Sequence, residues 1–260
     1  MTQGKKAIQR LSRQPLNQLS GDSWASIEPR LNEIYQESFI QGSSNRSIKT
    51  VLNRGPDTQL MLVYGPQGEI AGFGSYCMSR YQVRGKTHLV YDAGSYVSNA
   101  YAGSQAYFMK ELFQQAFRVR ITYPRAQIHV VMSCATPAAY RFFTQGVQKL
   151  YPHRSFEQPQ WSKDMMIEVL AGRDKTIVCQ DPVIVKSNFN PQLKDPDRIV
   201  GSKALAQDPD ASFFLELNPK FTSGHMLGVH IPLTLANILG TGSKILKKTL
   251  KPRRNLTKAG

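Results

Sequence analysis

The stretch Tyr91–Arg120, YDAGSYVSNAYAGSQAYFMKELFQQAFRVR, decides how the rest of the chain is read. Its residues through Val97 predict the end of a strand, followed by a short loop containing Gly103 and then a long amphipathic helix. In that helix Met109, Leu112, Phe113, Ala116 and Phe117 form an apolar face, with Lys110, Glu111, Gln114, Gln115 and Arg118 opposite. Ser104 is a suitable N-cap, and Tyr123-Pro124 ends the helix. A strand that enters a helix through a turn of small residues presents free backbone N–H groups and the positive end of a helix dipole. That geometry suits an anionic cofactor.

Working outward, LMLVYG (60–65) and EIAGFGSYCMSRYQV (69–83) predict two strands joined by a turn at Pro66-Gln67-Gly68. A third strand, THLVYDAGSYV (87–97), follows a second hairpin turn at Arg84-Gly85-Lys86. Gly94 inside it marks a bulge, a close backbone approach or a simple packing position. Further upstream, Ser20–Asp22 starts a helix running through WASIEPRLNEIYQESF, where Pro29 is tolerable only near the first turn. Ser47–Asn53 forms a second, short helix. Downstream, AQIHVVMS (126–133) is a β-branched strand expected to lie parallel to its predecessor through a right-handed crossover. TPAAYRFFTQGVQKL then makes a helix with Thr136 as N-cap and Pro137 at its first position. TIVCQDPVIVKSNF supplies one or two late strands, and Asn190–Asp210 reads as a long loop.

With 260 residues, 41% of them hydrophobic, the chain can bury a sizeable core. Cys77, Cys134 and Cys179 lie far apart without metal-ligand spacing, which argues for reduced thiols and a cytoplasmic setting. The N-terminus lacks the apolar region of a secretory signal. The net charge of +15 sits at the two ends. Residues 1–20 carry Lys5, Lys6, Arg10 and Arg13 without an acid, and residues 217–260 carry six Lys and two Arg without an acid. The body is close to neutral, so a nucleic-acid partner is not expected. The expected organisation is a basic N-terminal segment (1–14), a folded domain (15–190), a linker and C-terminal extension (191–240) and a basic tail (241–260).

The element order over roughly residues 15–190, together with VSNAYAGSQAYFMKEL and TPAAYRFF, resembles the GCN5-related N-acetyltransferase superfamily. The resemblance implies an α/β (α+β) fold, with a mixed central sheet, helices on both faces and here a C-terminal extension. It also implies acetyl-CoA or another acyl-CoA as co-substrate, and an amine-bearing small molecule or protein as acceptor. In such a fold the strand end at Tyr96 and Val97 would pair with the pantetheine amides. Ala102, Gly103, Ser104 and Gln105 would stand where the pyrophosphate loop lies, and Thr136 where an Asn recurs. The pattern also departs from the family's. Ala102 replaces the usual Arg or Gln, Gln105 and Tyr107 fall at small-residue positions, and Phe143 replaces a Tyr whose hydroxyl often protonates the leaving thiolate.

Two residues stand out as catalytic candidates. Asp92, in the middle of the third strand, could take the proton of an ammonium nucleophile, or be an acid at a solvent-facing pleat position or paired with Arg80 or Arg84. Tyr140 could supply the hydroxyl that Phe143 lacks, or simply pack in the core. His88 and His129 alternate with apolar residues in strands and read as structural, and His225 and His230 have no nearby carboxylate or third ligand at metal spacing, so no metal is expected. The function implied is an acyl-CoA-dependent N-acyltransferase. The alternative is a catalytically degenerate binding or scaffolding module of the same fold. A third feature is the apolar-basic end, where residues 244–258 could touch an anionic membrane surface at roughly 1 kcal/mol per basic residue, making the protein peripheral there. A packed helix followed by a solvated tail is the competing reading.

Overall fold

Two hairpin turns start the sheet. Arg84 and Gly85 both adopt positive φ, 49° and 71°, so Val83 folds back to pair with Lys86. Gly68, at φ 80°, closes the earlier turn. The computed structural model describes residues 8–40, 47–101, 105–173, 175–187, 192–194 and 207–241. Its strands are β1 (Arg10–Pro15), β2 (Phe39–Ile40), β3 (Gln59–Tyr64), β4 (Ile70–Val83), β5 (Lys86–Val97), β6 (Ile128–Cys134), β7 (Lys175–Gln180), β8 (Val183–Ser187), β9 (Gln192–Leu193) and β10 (His225–Pro232). The helices are α1 (Gly21–Ser38), α2 (Ile48–Leu52), α3 (Gln105–Thr122), α4 (Pro137–Gly146), α5 (Gln160–Ala171) and α6 (Pro209–Leu217).

Eight strands form one mixed sheet in the order β1-β3-β4-β5-β6-β10-β8-β7, and β2 pairs with β9 in a small second sheet. All neighbours are antiparallel except β5 and β6, which the α3 crossover makes parallel. Helices cover both faces. On one, α1 and α2 bury Trp24, Leu31, Ile34, Ile48 and Leu52 against Leu60, Leu62 and Phe73, while α5 packs Met165, Val169 and Leu170 on Val90, Val131 and Val185. On the other, Phe108 of α3, Tyr140 of α4 and Phe214 of α6 join Met61, Val63, Tyr76 and Tyr91.

Several expectations need correcting. The segment 1–14, read as separate from the domain, supplies most of β1, which pairs with β3 from Arg10 to Pro15. The segment 191–240 supplies β10, inserted between β6 and β8 in the middle of the sheet. The α5 helix was not foreseen, and α6 lies in the segment read as extension. Pro29 lies well inside α1 rather than near its first turn. An interior proline costs about 3 kcal/mol, which burial of Leu31, Ile34 and Tyr35 beyond it offsets. In α3 the core face is rotated: Phe108 and Ala116 are buried, whereas Phe117 is 42% exposed. Thr136 caps α4, accepting from Ala139 N at 3.1 Å, with Pro137 following. Among the described residues no helix is long and apolar enough to cross a membrane. Residues 244–258 lie outside the described residues.

A buried polar chain crosses β5, β6 and β10 beneath α5. Ser162 Oγ is 2.8 Å from His230 Nδ1, His230 Nε2 is 2.9 Å from His129 Nδ1, and His129 Nε2 is 3.0 Å from His88 Nδ1. His88 in turn bonds the backbone of Val83. Each neutral imidazole has one donor and one acceptor. If His88 Nε2 donates to the Val83 carbonyl, the remaining tautomers follow in one direction, ending with the Ser162 hydroxyl donating to His230. With those tautomers, a proton added to His88 or His129 would set two ring N–H donors face to face, and one on His230 would force the Ser162 hydroxyl to turn and accept. Burial, reinforced by the neighbouring imidazoles, pushes His129 down to about 4 and His230 well below its ordinary value; burial also lowers His88. In the unfolded chain these groups titrate near 6.5, so between about pH 4 and 6.5 the unfolded state binds more protons. Stability is therefore full above that window and falls on acidification, by roughly 3 kcal/mol for His129 alone. Melting temperature measured from pH 8 to pH 5 is expected to drop below about pH 6.5; a flat or rising profile on acidification would contradict the chain as described.

Candidate functional site

The sheet opens between its two parallel strands. β5 and β6 pair only through Leu89–Tyr91 against Ile128–Val130, although β5 runs on to Val97 and β6 to Cys134. Leu89 N donates to Gln127 O at 2.9 Å, which fixes the side to which each residue's backbone groups point. By strand alternation, those of Ala93, Ser95 and Val97 face β6, and those of Val131 and Ser133 face β5. Past Tyr91 the strands part, and these edge groups front the gap between them.

A cluster of charges lies in this gap. Arg173, just after α5, donates from Nη1 to the Val131 carbonyl at 3.0 Å and sits 2.8 Å from Asp92 Oδ1. It takes the place where a continuing β5 would have paired. Arg54, which follows α2, reaches the same Asp92 oxygen with Nη1 at 2.7 Å and donates from Nε to Ser75 Oγ at 2.8 Å. Lys175, at the start of β7, donates to Ser133 Oγ at 2.6 Å. The Lys175 ammonium points inward; burial, followed by the nearby Arg173 and Arg54 charges, pushes it down to about 8 against the pull of Asp92. The side chains of Asp92, Arg173 and Arg54 are only 5%, 10% and 15% exposed. Three cations therefore converge on one carboxylate.

Gly94 makes this possible. A Cβ there would stand 2.2 Å from Arg54 Nη2, so the glycine marks the close approach of a guanidinium to the strand. Asp92 is paired with Arg54 and Arg173 rather than with Arg80 or Arg84; Arg84 instead pairs with Asp164.

The remaining sequence candidates are dispersed. Tyr140 is fully buried on the opposite face from Asp92, and its hydroxyl donates to the Pro152 carbonyl at 2.8 Å. Burial, then the Asp210 charge, raises its pKa. Thr136 is engaged as the α4 cap. Tyr96 stacks on Phe73 with centroids 5.0 Å apart and meets Tyr35 edge-on, while Val97 is buried at the end of β5. Ala102, Gly103, Ser104 and the side chain of Gln105 lie outside the described residues. Cys134 is buried and its thiol is pushed up to about 12, which leaves it unreactive at neutral pH. Among the described residues no group of three His, Cys, Asp or Glu is placed to hold a metal ion.

Arg54, Arg173, Lys175, Ser75 and Ser133 were missed in the sequence. The available signals were a glycine inside a β-rich strand and a lone acid beside it. Neither identifies which distant cation answers.

No protein-family model and no curated protein matches the chain. Solved structures similar to it include ElaA of Escherichia coli, at 12% identity over 56% of this chain and 93% of that one, with a TM-score of 0.34. A GCN5-related N-acetyltransferase from Kribbella flavida is similar at 10% identity over 85% of this chain and 97% of that one, with a TM-score of 0.31. yncA of Salmonella typhimurium, solved with its cofactor acetyl-CoA, is similar at 11% identity over 59% and 89%, with a TM-score of 0.31. At these scores the functional reading rests on the residues of the gap itself.

Asp92 is the one acid of the cluster among the described residues, and removing it tests the electrostatics. Asp92→Ala leaves Arg54, Arg173 and Lys175 without a buried counter-charge and is expected to cost about 3–5 kcal/mol in urea unfolding. A loss below about 1 kcal/mol would show that the cations are not held by Asp92.

Proposed function

We propose that the protein is an acyl-CoA-dependent N-acyltransferase that passes an acyl group, most simply acetyl, from a CoA thioester directly to an amine. The observation that carries this reading is the parting of β5 and β6. Beyond the position that Arg173 fills, it leaves the Ser95 and Val97 backbone edge available to hydrogen-bond the two amides of a pantetheine arm, as an added strand would. The same strand leads into α3, whose first-turn N–H groups lack intrahelical partners and favour an anion. The cofactor would lie with its thioester inside the gap and its phosphates toward the start of α3.

In this scheme the acceptor amine attacks the thioester carbonyl, the C–N bond forms, the C–S bond breaks and CoA leaves as the thiolate. The amine must lose a proton on the way. Asp92 is the acid of the gap; with both guanidinium contacts on Oδ1, its Oδ2 is the oxygen left to take that proton, directly or through water.

A second reading is favoured by Arg173. Its guanidinium already fills the first position of the gap, and Asp92 is held by two cations, as in a module that binds without turning over. One pair of measurements separates the readings. Calorimetric titration with acetyl-CoA is expected to show binding in the ~1 μM–1 mM range usual for such co-substrates. Release of free thiol in the presence of an amine marks the enzyme, and binding without thiol release marks the module. Absence of heat at millimolar acetyl-CoA sinks both.

A further inference from the structure

Arg173 has donors to spare. Its Nη1 serves both Asp92 and the Val131 carbonyl, but Nε and Nη2 are buried without a hydrogen-bond partner. The side chain is only 10% exposed. Buried donors of a charged group are almost always satisfied, so two orphans on one guanidinium mark a missing partner. These two are not an arbitrary pair. Nε and Nη2 form the side-on edge of the guanidinium, whose parallel N–H vectors match the two oxygens of a carboxylate.

Among the described residues the surrounding charge has the same deficit. Arg54, Arg173 and Lys175 face Asp92 as the cluster's acid. One further negative charge would bring the group closer to neutrality and offset the repulsion among the enclosed cations. A carboxylate brings its charge in a planar shape that fits the free edge; a phosphate dianion would balance the charge more fully but on a tetrahedral centre, so it is the shape of the edge that selects the carboxylate.

The position relative to Asp92 narrows the ligand. Arg173 Nη1 lies 2.8 Å from Asp92 Oδ1, so a carboxylate on the Nε/Nη2 edge sits beside the residue proposed above to receive the amine proton. A molecule with its amine and carboxylate a few bonds apart spans the two. We infer that the acceptor is an amino acid or a similarly compact amino-carboxylate, bound through its carboxylate to the Nε/Nη2 edge of Arg173 with Lys175 and Arg54 as supporting cations. This inference rests on the acyltransfer reading for its substrate, but the carboxylate site itself can be tested without it.

The test has two arms. In the first, acetyl-CoA is supplied with L-amino acids and with their decarboxylated counterparts, such as phenylalanine against phenethylamine and tyrosine against tyramine, and thiol release is followed. At least one amino acid is expected to exceed its amine by about 100-fold in kcat/KM, since a site built around a charged group rejects ligands that lack it. Arg173→Lys keeps the charge but loses the planar edge, and should erase that preference for the amino acid over its amine through KM. Equal or better use of the amines overturns the proposal.

The second arm needs no turnover. Sodium acetate, matched in ionic strength with sodium chloride, should raise the melting temperature of the native protein and not that of Arg173→Lys or Arg173→Gln. If no acceptor is turned over but acetate still stabilises through Arg173, the carboxylate site stands and acyl transfer falls. If acetate does no more than chloride, or inorganic phosphate alone stabilises, the carboxylate site is refuted whatever the enzyme assay shows. Should neither variant fold, the native protein's acetate response and acceptor preference decide by themselves.

Discussion

The contact between Arg173 and the parted strands sets the character of this molecule. A parallel pair of strands that stops pairing leaves backbone carbonyls and amides facing each other across a gap, and buried groups of that kind must be answered. Here Arg173 answers one of them, the Val131 carbonyl, and in the same stroke ties β6 to Asp92 on β5. The gap is held open at its base by a charged bracket. Arg54 completes the bracket from the α2 side, in space that Gly94 leaves vacant.

The bracket and the histidine chain manage polarity in opposite ways within the same sheet. Ser162, His230, His129 and His88 can be satisfied end to end as neutral groups, and the packing of α5 over them depends on their remaining neutral. Around Asp92 the charges are real and unequal, and two guanidinium donors have no partner. A self-contained polar chain reads as structure. An unbalanced one, placed where two strands diverge and a helix begins, reads as a site. The side of the sheet matters too: Tyr140 is spent on the Pro152 carbonyl in the core of the opposite face, so the acid–base chemistry proposed for the gap depends on what β5 and the residues around α2 and α5 bring to it.

Much of the fold was legible. The turns at Gly68 and Arg84-Gly85 could be read because left-handed backbone conformations select particular residues. The Thr136-Pro137 start of α4 could be read because orphan N–H groups demand a cap. β1 and β10 were harder. β1 carries Arg10 and Arg13 on a sheet edge, so its basic residues resembled a solvated tail. β10, with Gly228 and Pro232 in it, resembled an interrupted extension, and only its insertion between β6 and β8 makes it a strand. In α3 the composition showed an amphipathic helix, but packing against the sheet chose Phe108 over Phe117 as the buried aromatic.

For the site, sequence alone singled out Asp92 and Gly94, an acid and a glycine in a strand where neither is favoured. Such local oddities are visible because propensity is a property of neighbours along the chain. Which residues answer them is not. Arg54 lies 38 positions from Asp92, and Arg173 lies 42 from the carbonyl it binds, and no periodicity links such distances. The sequence determined β3 to β6, α1 to α4 and the residues that needed an explanation. Only the tertiary structure decided that three cations would meet one carboxylate where β5 and β6 part, because that meeting depends on where separate elements pack.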